Sequence, residues 1–312
     1  MAEMIRITYY GKKPQGQTVC AMGFFDGVHK GHKKIIRECL SQKKAGLQTV
    51  ALTFDKHPLK TVAPSRAPLL INTFPQKVDN LLALGVDTVA AVHFNGEVAS
   101  LLPEDFMWFV LKERLKAASV VAGNNFRFGR DRQGNGETLK KYGQEYGIAV
   151  NIIASLRIKG GPVSSTRIRA AVQSGRMEDA AAFLGYPFTI RGSIATGYRI
   201  GTKLGYPTAN LAASPGQLLP GNGVYLVKSE IEGRTYFGGC NVGVRPTFGI
   251  HAVSIEAHFV DWEGNLYGRD MSFAFLSKIR DEMEFESPEA LIERLRKDLE
   301  AVRAAKEKMS CR

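Results

Sequence analysis

Two histidines flank a glycine in the stretch FDGVHKGH, where His29 and His32 lie on either side of Gly31. At a helix start, side chains with this spacing can point at one phosphate group. Imidazole can donate hydrogen bonds to the charge that builds on a phosphorus in transfer, and Gly27 and Gly31 let a phosphate approach the backbone. A surface loop and a zinc site are the alternatives, but the chain offers no convincing third zinc ligand. We interpret the histidines as residues for phosphate chemistry.

A second anion-binding pattern is the stretch VSSTRIR, which combines hydroxyl groups with guanidinium groups. The residues concerned are Ser164, Ser165, Thr166, Arg167 and Arg169. Hydroxyls and amides at a helix start suit phosphate oxygens, as does the fork of an arginine. Taken alone, a capped basic helix without a ligand is an equally open interpretation. Together, the histidines and this stretch are predicted to bind the two ends of one triphosphate.

The third candidate is GYRIGTKLGYPTAN, a glycine-rich loop followed by oxygen-bearing side chains. Glycines leave such a loop free to fold around an anion and a lysine can neutralise it; these residues are Gly197, Gly201, Lys203 and Gly205. Thr208 and Asn210 then offer a hydroxyl and an amide oxygen. Such oxygens suit Mg²⁺ together with phosphates and waters. A polar turn without a metal is the alternative for PTAN alone.

Apolar periodicity predicts that the first half alternates strands and helices. Runs such as TVCAM and ASVVAG have the length of buried strands. Apolar residues recur at helical spacing after the FDGVHKGH stretch, which we call the histidine loop. Alternating strands and helices favour a parallel sheet with helices on both faces. In such a sheet ligands bind where strands end and helices begin. The histidine loop is predicted to lie at such a point.

The helical period ends near residues 184–188, and short β-rich runs separated by glycines follow to about Lys278. That pattern is typical of a small antiparallel barrel. A last helix is marked by Ser287 as N-cap and Pro288 at its first position. We therefore expect two domains, residues 1–184 and 185–312.

Composition predicts a globular cytoplasmic protein with anionic ligands. The 312 residues carry a net charge of +12, and we find no signal-peptide pattern and no apolar run of membrane-spanning length. The four cysteines are scattered, which argues against a disulfide framework and for a reducing cytoplasm. The basic residues are spread out, with no zinc-finger, RRM or KH signature. We therefore expect neither nucleic acid nor a membrane as a partner.

Four segments of the first half resemble, in order, motifs of the adenylyltransferase half of bacterial bifunctional riboflavin kinase/FAD synthetases. They are FDGVHKGH, TFDKHP, GNNFRFGRDRQG and VSSTRIR. The second half is similar to riboflavin kinases in GYRIGTKLGYPTANL, NVGVRPTF, SIEAHFVDWEGNLYG and IRDEMEFES. The resemblance covers almost the whole chain. One departure is Lys56, which stands where the family usually has proline.

For the first domain, the resemblance implies a nucleotidyltransferase-type α/β fold with a Rossmann-like parallel sheet. His29 and His32 would be catalytic. The residues that would bind FMN are Asp55, His57 and Asn125. ATP and its phosphates would be held by Gly23, Phe24, Asp26, Gly31, Ser164, Ser165, Thr166 and Arg167.

For the second domain, the resemblance implies a six-stranded β-barrel with a C-terminal helix. Glu256 would be the base that accepts the proton of the ribityl hydroxyl, and Thr208 and Asn210 would hold Mg²⁺ between ATP phosphates. Arg280 and Glu284 would help to enclose the flavin. The glycine-rich loop would bind ATP through Gly197, Gly201, Lys203 and Gly205.

The resemblance therefore implies two steps that use ATP. Riboflavin becomes FMN in the barrel, and FMN then becomes FAD, with release of pyrophosphate, in the first domain. Mg²⁺ with ATP is the implied cofactor, and the flavins are substrates and products. Two alternatives remain: a nucleotidyltransferase for another substrate whose barrel only binds, and a flavin- or nucleic-acid-binding regulator with an inactive site. The complete PTAN loop and Glu256 argue against the first.

Overall fold

The computed structural model describes residues 5–43, 46–195, 206–247 and 250–310. The chain forms two compact units, Met1–Ser165 and Thr166–Arg312. This division lies before the expected domain boundary at 184/185, because two short helices that precede the barrel fall almost wholly in the second unit. The functional boundary at 184/185 stays a prediction.

A six-stranded sheet forms the centre of the first unit, in the strand order β1-β4-β3-β2-β5-β6. Its strands are β1 Ile7–Gly11, β2 Thr18–Met22, β3 Gln48–Phe54, β4 Thr88–Val92, β5 Ala117–Gly123 and β6 Ala149–Ile153. The pairs among β2 to β6 are parallel, as predicted. The sheet is nevertheless mixed, since β1 pairs antiparallel with β4 at the edge.

Both faces of this sheet bury a core, because alternate residues of β2 enter two separate apolar clusters. Val19 and Ala21 lie in one cluster, and Cys20 and Met22 in the other. The α-helices described in this unit are α1 Lys30–Ser41, α2 Leu59–Val62, α3 Phe74–Leu82, α4 Gly96–Ser100, α5 Pro103–Asp105 and α6 Gly136–Tyr146. A short hairpin, β7 Arg157–Ile158 and β8 Gly161–Pro162, precedes the end of the unit.

One predicted helix differs in its hydrogen bonding. Phe106–Arg114 is a π-helix rather than an α-helix, and Leu115 N donates to Val110 O at its end. Short 3₁₀ turns span Pro64–Arg66 and Arg130–Arg132. Apolar periodicity predicts a helix over Phe106–Arg114 but does not distinguish a π-helix from an α-helix.

Six antiparallel strands close into a barrel in the second unit, in the order β10-β13-β12-β11-β14-β9. The strands are β9 Phe188–Ala195, β10 Ala209–Ala213, β11 Gly223–Ile231, β12 Arg234–Thr247, β13 Ile250–Phe259 and β14 Asp270–Arg280. Aromatic side chains dominate its interior, and Tyr225, Phe188, Phe273 and Phe275 are fully buried. The predicted antiparallel barrel is confirmed.

Helices precede and follow the barrel: α7 Ser165–Gln173, α8 Met177–Leu184 and α9 Pro288–Ser310. Ser287 caps α9 as predicted, since its Oγ accepts a hydrogen bond from Ala290 N at 3.2 Å. Leu299 and Val302 of α9 join an apolar cluster with barrel residues that include Leu226. Within the described ranges, no helix is long and apolar enough to cross a membrane.

Candidate active sites

His29 and His32 lie where β2 gives way to α1, at the point where the strand order of the sheet reverses. β3 and β4 lie on one side of β2, and β5 and β6 on the other; open α/β sheets bind ligands at such switch points. His29 is the N-cap of α1, and its Nδ1 accepts a hydrogen bond from His32 N at 3.2 Å. The two rings stack with centroids 3.5 Å apart and planes 14° apart. One helix start thus holds both predicted histidines face to face.

Gly31 leaves room for this stack. A Cβ at this position would lie 3.1 Å from both Cε1 and Nδ1 of the His29 ring, and 3.8 Å from the carbonyl oxygen of Val163. A larger residue would therefore force the His29 ring to shift from its present position. The glycine of the motif therefore serves the geometry of the histidines.

The loop before His29 holds two non-glycine residues in the left-handed region. Phe25 has φ +57° and Val28 has φ +35°, and both side chains are fully buried. A positive φ is a rare conformation for a β-branched residue. Each such residue costs on the order of 1–3 kcal/mol and persists only where the surroundings over-determine it. Burial of these two side chains therefore fixes the backbone that presents His29.

Both imidazoles are neutral at neutral pH. Burial lowers the pKa of His29 to about 4. Burial also lowers the pKa of His32 well below its usual value, and repulsion between a protonated His32 ring and positive charge on His29 or Lys77 lowers it further. Because Nδ1 of His29 accepts a hydrogen bond, the proton of its neutral ring lies on Nε2. Nδ1 of His32 is shielded from solvent and has no hydrogen-bond partner among the described residues.

We expect the free energy of unfolding to fall as the pH drops from about 6.5 to about 5. An exposed histidine takes up a proton near pH 6.5, whereas folded His29 resists protonation until about pH 4. The unfolded chain therefore binds more protons in this range, and acid favours unfolding. The loss from His29 alone is about 2 kcal/mol. Urea unfolding at several pH values should show a flatter slope for His29→Asn, and equal slopes would contradict a buried neutral His29.

A cavity of about 540 Å³ opens beside the histidines. Its wall includes five of the predicted site residues: Gly23, Phe24, His32, His57 and Asn125. Much of the remaining wall is aromatic, with Phe54, Phe94, Phe106, Phe126 and Phe128. The volume is in the range of small-molecule and cofactor sites. An aromatic wall of this kind suits a flat ring system.

Two predicted carboxylates hold loops around this cavity and are not part of its wall. Asp26 is buried, and its Oδ1 accepts hydrogen bonds from Ile71 N at 3.0 Å and Asn72 N at 3.3 Å. Asp55 is partly exposed and pairs with His93, Nδ1 to Oδ2 at 2.6 Å. Their predicted contacts with ATP and FMN stay predictions.

The start of VSSTRIR lies next to the histidine loop. Ser165 Oγ donates a hydrogen bond to the backbone carbonyl of Asp26 at 3.0 Å. The first unit therefore brings the Ser164–Ser165 end of this motif to the loop that carries His29. In the second unit, the guanidinium of Arg167 lies over the Phe183 ring at 4.4 Å. Phosphate binding by Thr166 and Arg167 stays a prediction.

Glu256 lies between two asparagines in the barrel. Strand register pairs it with Asn210 of β10 and with Asn241 of β12, and residues paired across antiparallel strands share a face. The alternate residues Ile255 and Ala257 are buried, whereas Glu256 is only half-buried. The side chains of Asn210, Glu256 and Asn241, which we call the Glu256 row, therefore face away from the barrel core. The predicted base, Glu256, lies beside the predicted metal ligand Asn210.

Two cavities of the barrel unit share Thr208 in their walls. One, of about 340 Å³, is also lined by Glu256, Asn241 and Arg280. The other, of about 400 Å³, is lined by the 262–267 turn, which includes Trp262. Thr208 therefore borders both the cavity that contains the predicted base and the neighbouring one.

Arg280 lines the smaller cavity, but its guanidinium is ion-paired with Asp298 of α9. Nη2 lies 2.9 Å from Oδ2, and the two side chains are 12% and 4% exposed. This pair fixes the final helix beside the cavity. Glu284 is exposed, and its neighbours Met283 and Phe285 line the cavity instead. Flavin contacts by Arg280 and Glu284 stay predictions.

The predicted ATP loop of the barrel lies outside the described residues, and its members are Gly197, Gly201, Lys203 and Gly205. The chain that follows it is tied to the strand of the predicted base. Pro207 O accepts a hydrogen bond from Nδ1 of His258 at 2.8 Å, and His258 is close to Glu256 on β13. The PTAN segment is thus held against β13.

The structure adds residues that we did not predict as site residues. Asn241 joins the Glu256 row only through strand register, which no local pattern reveals. Trp262 offered a signal, since it is one of two tryptophans and lies in the turn-like stretch DWEGN. Lys77 offered none, because a lysine in a short helix is ordinarily exposed.

Family comparisons cover both units. A FAD synthetase family model matches residues 11–167, and a riboflavin kinase family model matches residues 184–306. A bifunctional riboflavin kinase/FMN adenylyltransferase of Listeria monocytogenes is 34% identical, over 92% of this chain and 91% of that protein. The chain belongs to this family. The protein of the same description from Bacillus subtilis is 33% identical, over 94% of each chain.

This enzyme therefore has riboflavin kinase and FMN adenylyltransferase activities, which confirms the two functions expected from its motifs. Its substrates are riboflavin, FMN and ATP, and FAD is its final product. A crystal structure described as a macrolide-efflux protein from Streptococcus pneumoniae matches with a TM-score of 0.86 and 31% identity, over 93% of this chain and 95% of that one. That likeness confirms the combination of an α/β sheet and a barrel.

Proposed function

We propose that the cavity beside His32 is the adenylyl-transfer site. An oxygen of the FMN phosphate attacks the α-phosphorus of ATP, the bond from that phosphorus to the pyrophosphate oxygen breaks, and FAD and pyrophosphate leave. The attacking phosphate is already ionised, so no base is needed. The protein's task is to position the two phosphates and to stabilise the charge that develops between them.

His29 and His32 supply hydrogen-bond donors for that charge. Neutral imidazoles held in place by the fold are preorganised donors, and the loss of one such donor typically lowers kcat by about 10²–10³-fold. The observation that supports this assignment is the place of His32 in the wall of the cavity, with its ring stacked on that of His29.

We propose that the barrel carries out phosphoryl transfer with Glu256 as general base. The ribityl 5′-hydroxyl of riboflavin attacks the γ-phosphorus of ATP, Glu256 accepts the hydroxyl proton, and the bond to the departing ADP oxygen breaks. Because Glu256 must contact the hydroxyl group of riboflavin, riboflavin binds in the cavity that Glu256 lines. ATP then binds in the neighbouring cavity beside Trp262. This arrangement is supported by Thr208, which lines both cavities where the γ-phosphate must meet riboflavin.

Thr208 and Asn210 fit a Mg²⁺ ion that is shared with the ATP phosphates. Both side chains offer uncharged oxygens, and Mg²⁺ is usually bound through one or two protein groups with phosphates and waters completing its shell. Among the described residues, no group of three or more His, Cys, Asp or Glu could hold a metal without such help. Bound there, Mg²⁺ would neutralise phosphate charge.

We expect Asn210→Ala to raise the Mg²⁺ concentration for half-maximal FMN formation by at least about tenfold, since even outer-shell partners of a metal site contribute that much. The measurement is a Mg²⁺ titration of riboflavin kinase activity. FAD formation from supplied FMN by the same variant is the control and should keep its Mg²⁺ requirement. An unchanged requirement in the kinase reaction would place Asn210 outside the metal site.

A further inference from the structure

Lys77 of α3 is buried, with only 4% of its surface exposed. Its Nζ donates hydrogen bonds to Phe24 O at 3.2 Å, Thr53 Oγ1 at 3.1 Å and Phe54 O at 2.9 Å. An ammonium group has three donors, so each of them has an acceptor. Nζ also lies 4.2 Å from the centroid of the Phe24 ring.

These acceptors belong to the ends of two neighbouring strands. Phe24 follows β2 on the loop that leads to His29, whereas Thr53 and Phe54 end β3. Thr53 Oγ1 itself donates a hydrogen bond to Phe24 O at 2.9 Å. The ammonium and the hydroxyl therefore form one bridge between the strand ends, and Phe24 and Phe54 both line the cavity.

We propose that Lys77 is a positioning residue for adenylyl transfer, whose ammonium group joins the ends of β2 and β3 and so fixes the cavity wall and the histidine loop. The inference rests on the proposed function of that cavity. Transfer between two bound phosphates requires placement to within about 1 Å, and a misplacement of that size can cost about 10²-fold in rate.

The charge on Lys77 is sensitive to pH in the neutral range. Burial lowers the pKa of Lys77 to about 7, although Asp26 and Asp55 act to raise it. The third titratable group coupled to it is His32, whose own pKa it lowers and which is neutral throughout the neutral and alkaline range. Deprotonation of Lys77 weakens the bridge, so the free enzyme should lose adenylyltransferase activity as the pH rises.

The test compares the wild-type enzyme with Lys77→Met and Lys112→Met in kcat/KM for FMN adenylylation between about pH 6 and pH 9, since kcat/KM reports ionisations of the free enzyme. Lys112 is a matched control, because its Nζ also donates to a carbonyl oxygen, that of Tyr146 at 2.6 Å, and it does not line the cavity.

We expect Lys77→Met to lower kcat about 100-fold and to show no fall in kcat/KM toward alkaline pH. Wild type and Lys112→Met should lose kcat/KM above a pKa of about 7. Riboflavin kinase activity of the same proteins reports on the barrel unit and should stay unchanged, and the circular dichroism spectrum, which includes the helices of the first unit, should match that of wild type. A flat wild-type profile, an alkaline fall that persists in Lys77→Met, or an unchanged kcat in that variant would overturn the proposal.

Thr53→Val keeps the proposal testable if Lys77→Met does not fold. The valine preserves the shape of the side chain but removes the hydroxyl from the bridge, so we expect about tenfold lower kcat, the contribution of one hydrogen bond, with the alkaline fall retained. Wild-type kcat in Thr53→Val would count against the bridge. Normal FAD synthesis by His32→Ala would instead contradict the proposal that the cavity beside His32 is the adenylyl-transfer site, whatever Lys77→Met shows.

Discussion

Replacing Glu256 with glutamine should lower kcat for FMN formation from riboflavin by about 10²–10⁴-fold and leave FAD formation from supplied FMN at the wild-type rate. Glutamine keeps the size of the side chain between Asn210 and Asn241, but an amide cannot accept the hydroxyl proton. The measurement is chromatographic separation of the flavins after incubation with ATP and Mg²⁺, starting from riboflavin in one series and from FMN in another.

Glu230→Gln is the matched control, since Glu230 is an exposed acid on strand β11 of the same barrel. It should keep both activities. FMN formation by Glu256→Gln within a few-fold of wild type would show that Glu256 is not the base. A parallel loss of both activities in that variant would indicate misfolding rather than a missing base.

Replacing His32 with alanine should lower kcat for FAD formation from FMN by about 10²–10³-fold, the usual cost of losing one preorganised donor. FMN formation from riboflavin should be unchanged. The backbone N–H of residue 32 remains in the variant, so the hydrogen bond to Nδ1 of His29 that caps α1 can be kept. We therefore expect the variant to be impaired in adenylyl transfer while helix α1 stays formed.

Riboflavin kinase activity of His32→Ala serves as its internal control, measured on the same preparation. His29→Asn, which can still cap a helix, should show a loss of FAD formation of similar size. Wild-type FAD formation in His32→Ala would contradict the assignment of the histidine loop. Loss of both reactions together would point to a folding defect.

Local patterns were sufficient for the elements that carry the adenylyltransferase motifs. TVCAM was predicted as a strand from its apolar run, and all its residues are buried in β2, as central parallel strands require. Strand β1 was not predicted, because its segment ITYYG is only partly buried and so lacks the apolar run of a central strand. Its place is set by antiparallel pairing with β4, a contact between segments distant in sequence.

The candidate sites show the same division between local and long-range information. Spacing alone predicted that His29 and His32 act together, since both lie in one helix start. Glu256 was implied by resemblance and Asn210 was a candidate metal ligand from its amide oxygen, but only strand register shows that they are neighbours and that Asn241 completes the row. The burial of Lys77 arises from the packing of α3 against two strand ends, and no pattern within the helix indicates it.

A time course with riboflavin, ATP and Mg²⁺ tests whether two separate sites of this enzyme act in sequence. Wild type, Glu256→Gln, His32→Ala and an equimolar mixture of the two variants are compared. Wild type should form FMN and then FAD, Glu256→Gln neither product, and His32→Ala only FMN. The mixture should regain FAD formation, because FMN released by one variant is a substrate for the other. FAD formed from riboflavin at the wild-type rate by either variant alone would show that the enzyme does not use these two sites in sequence.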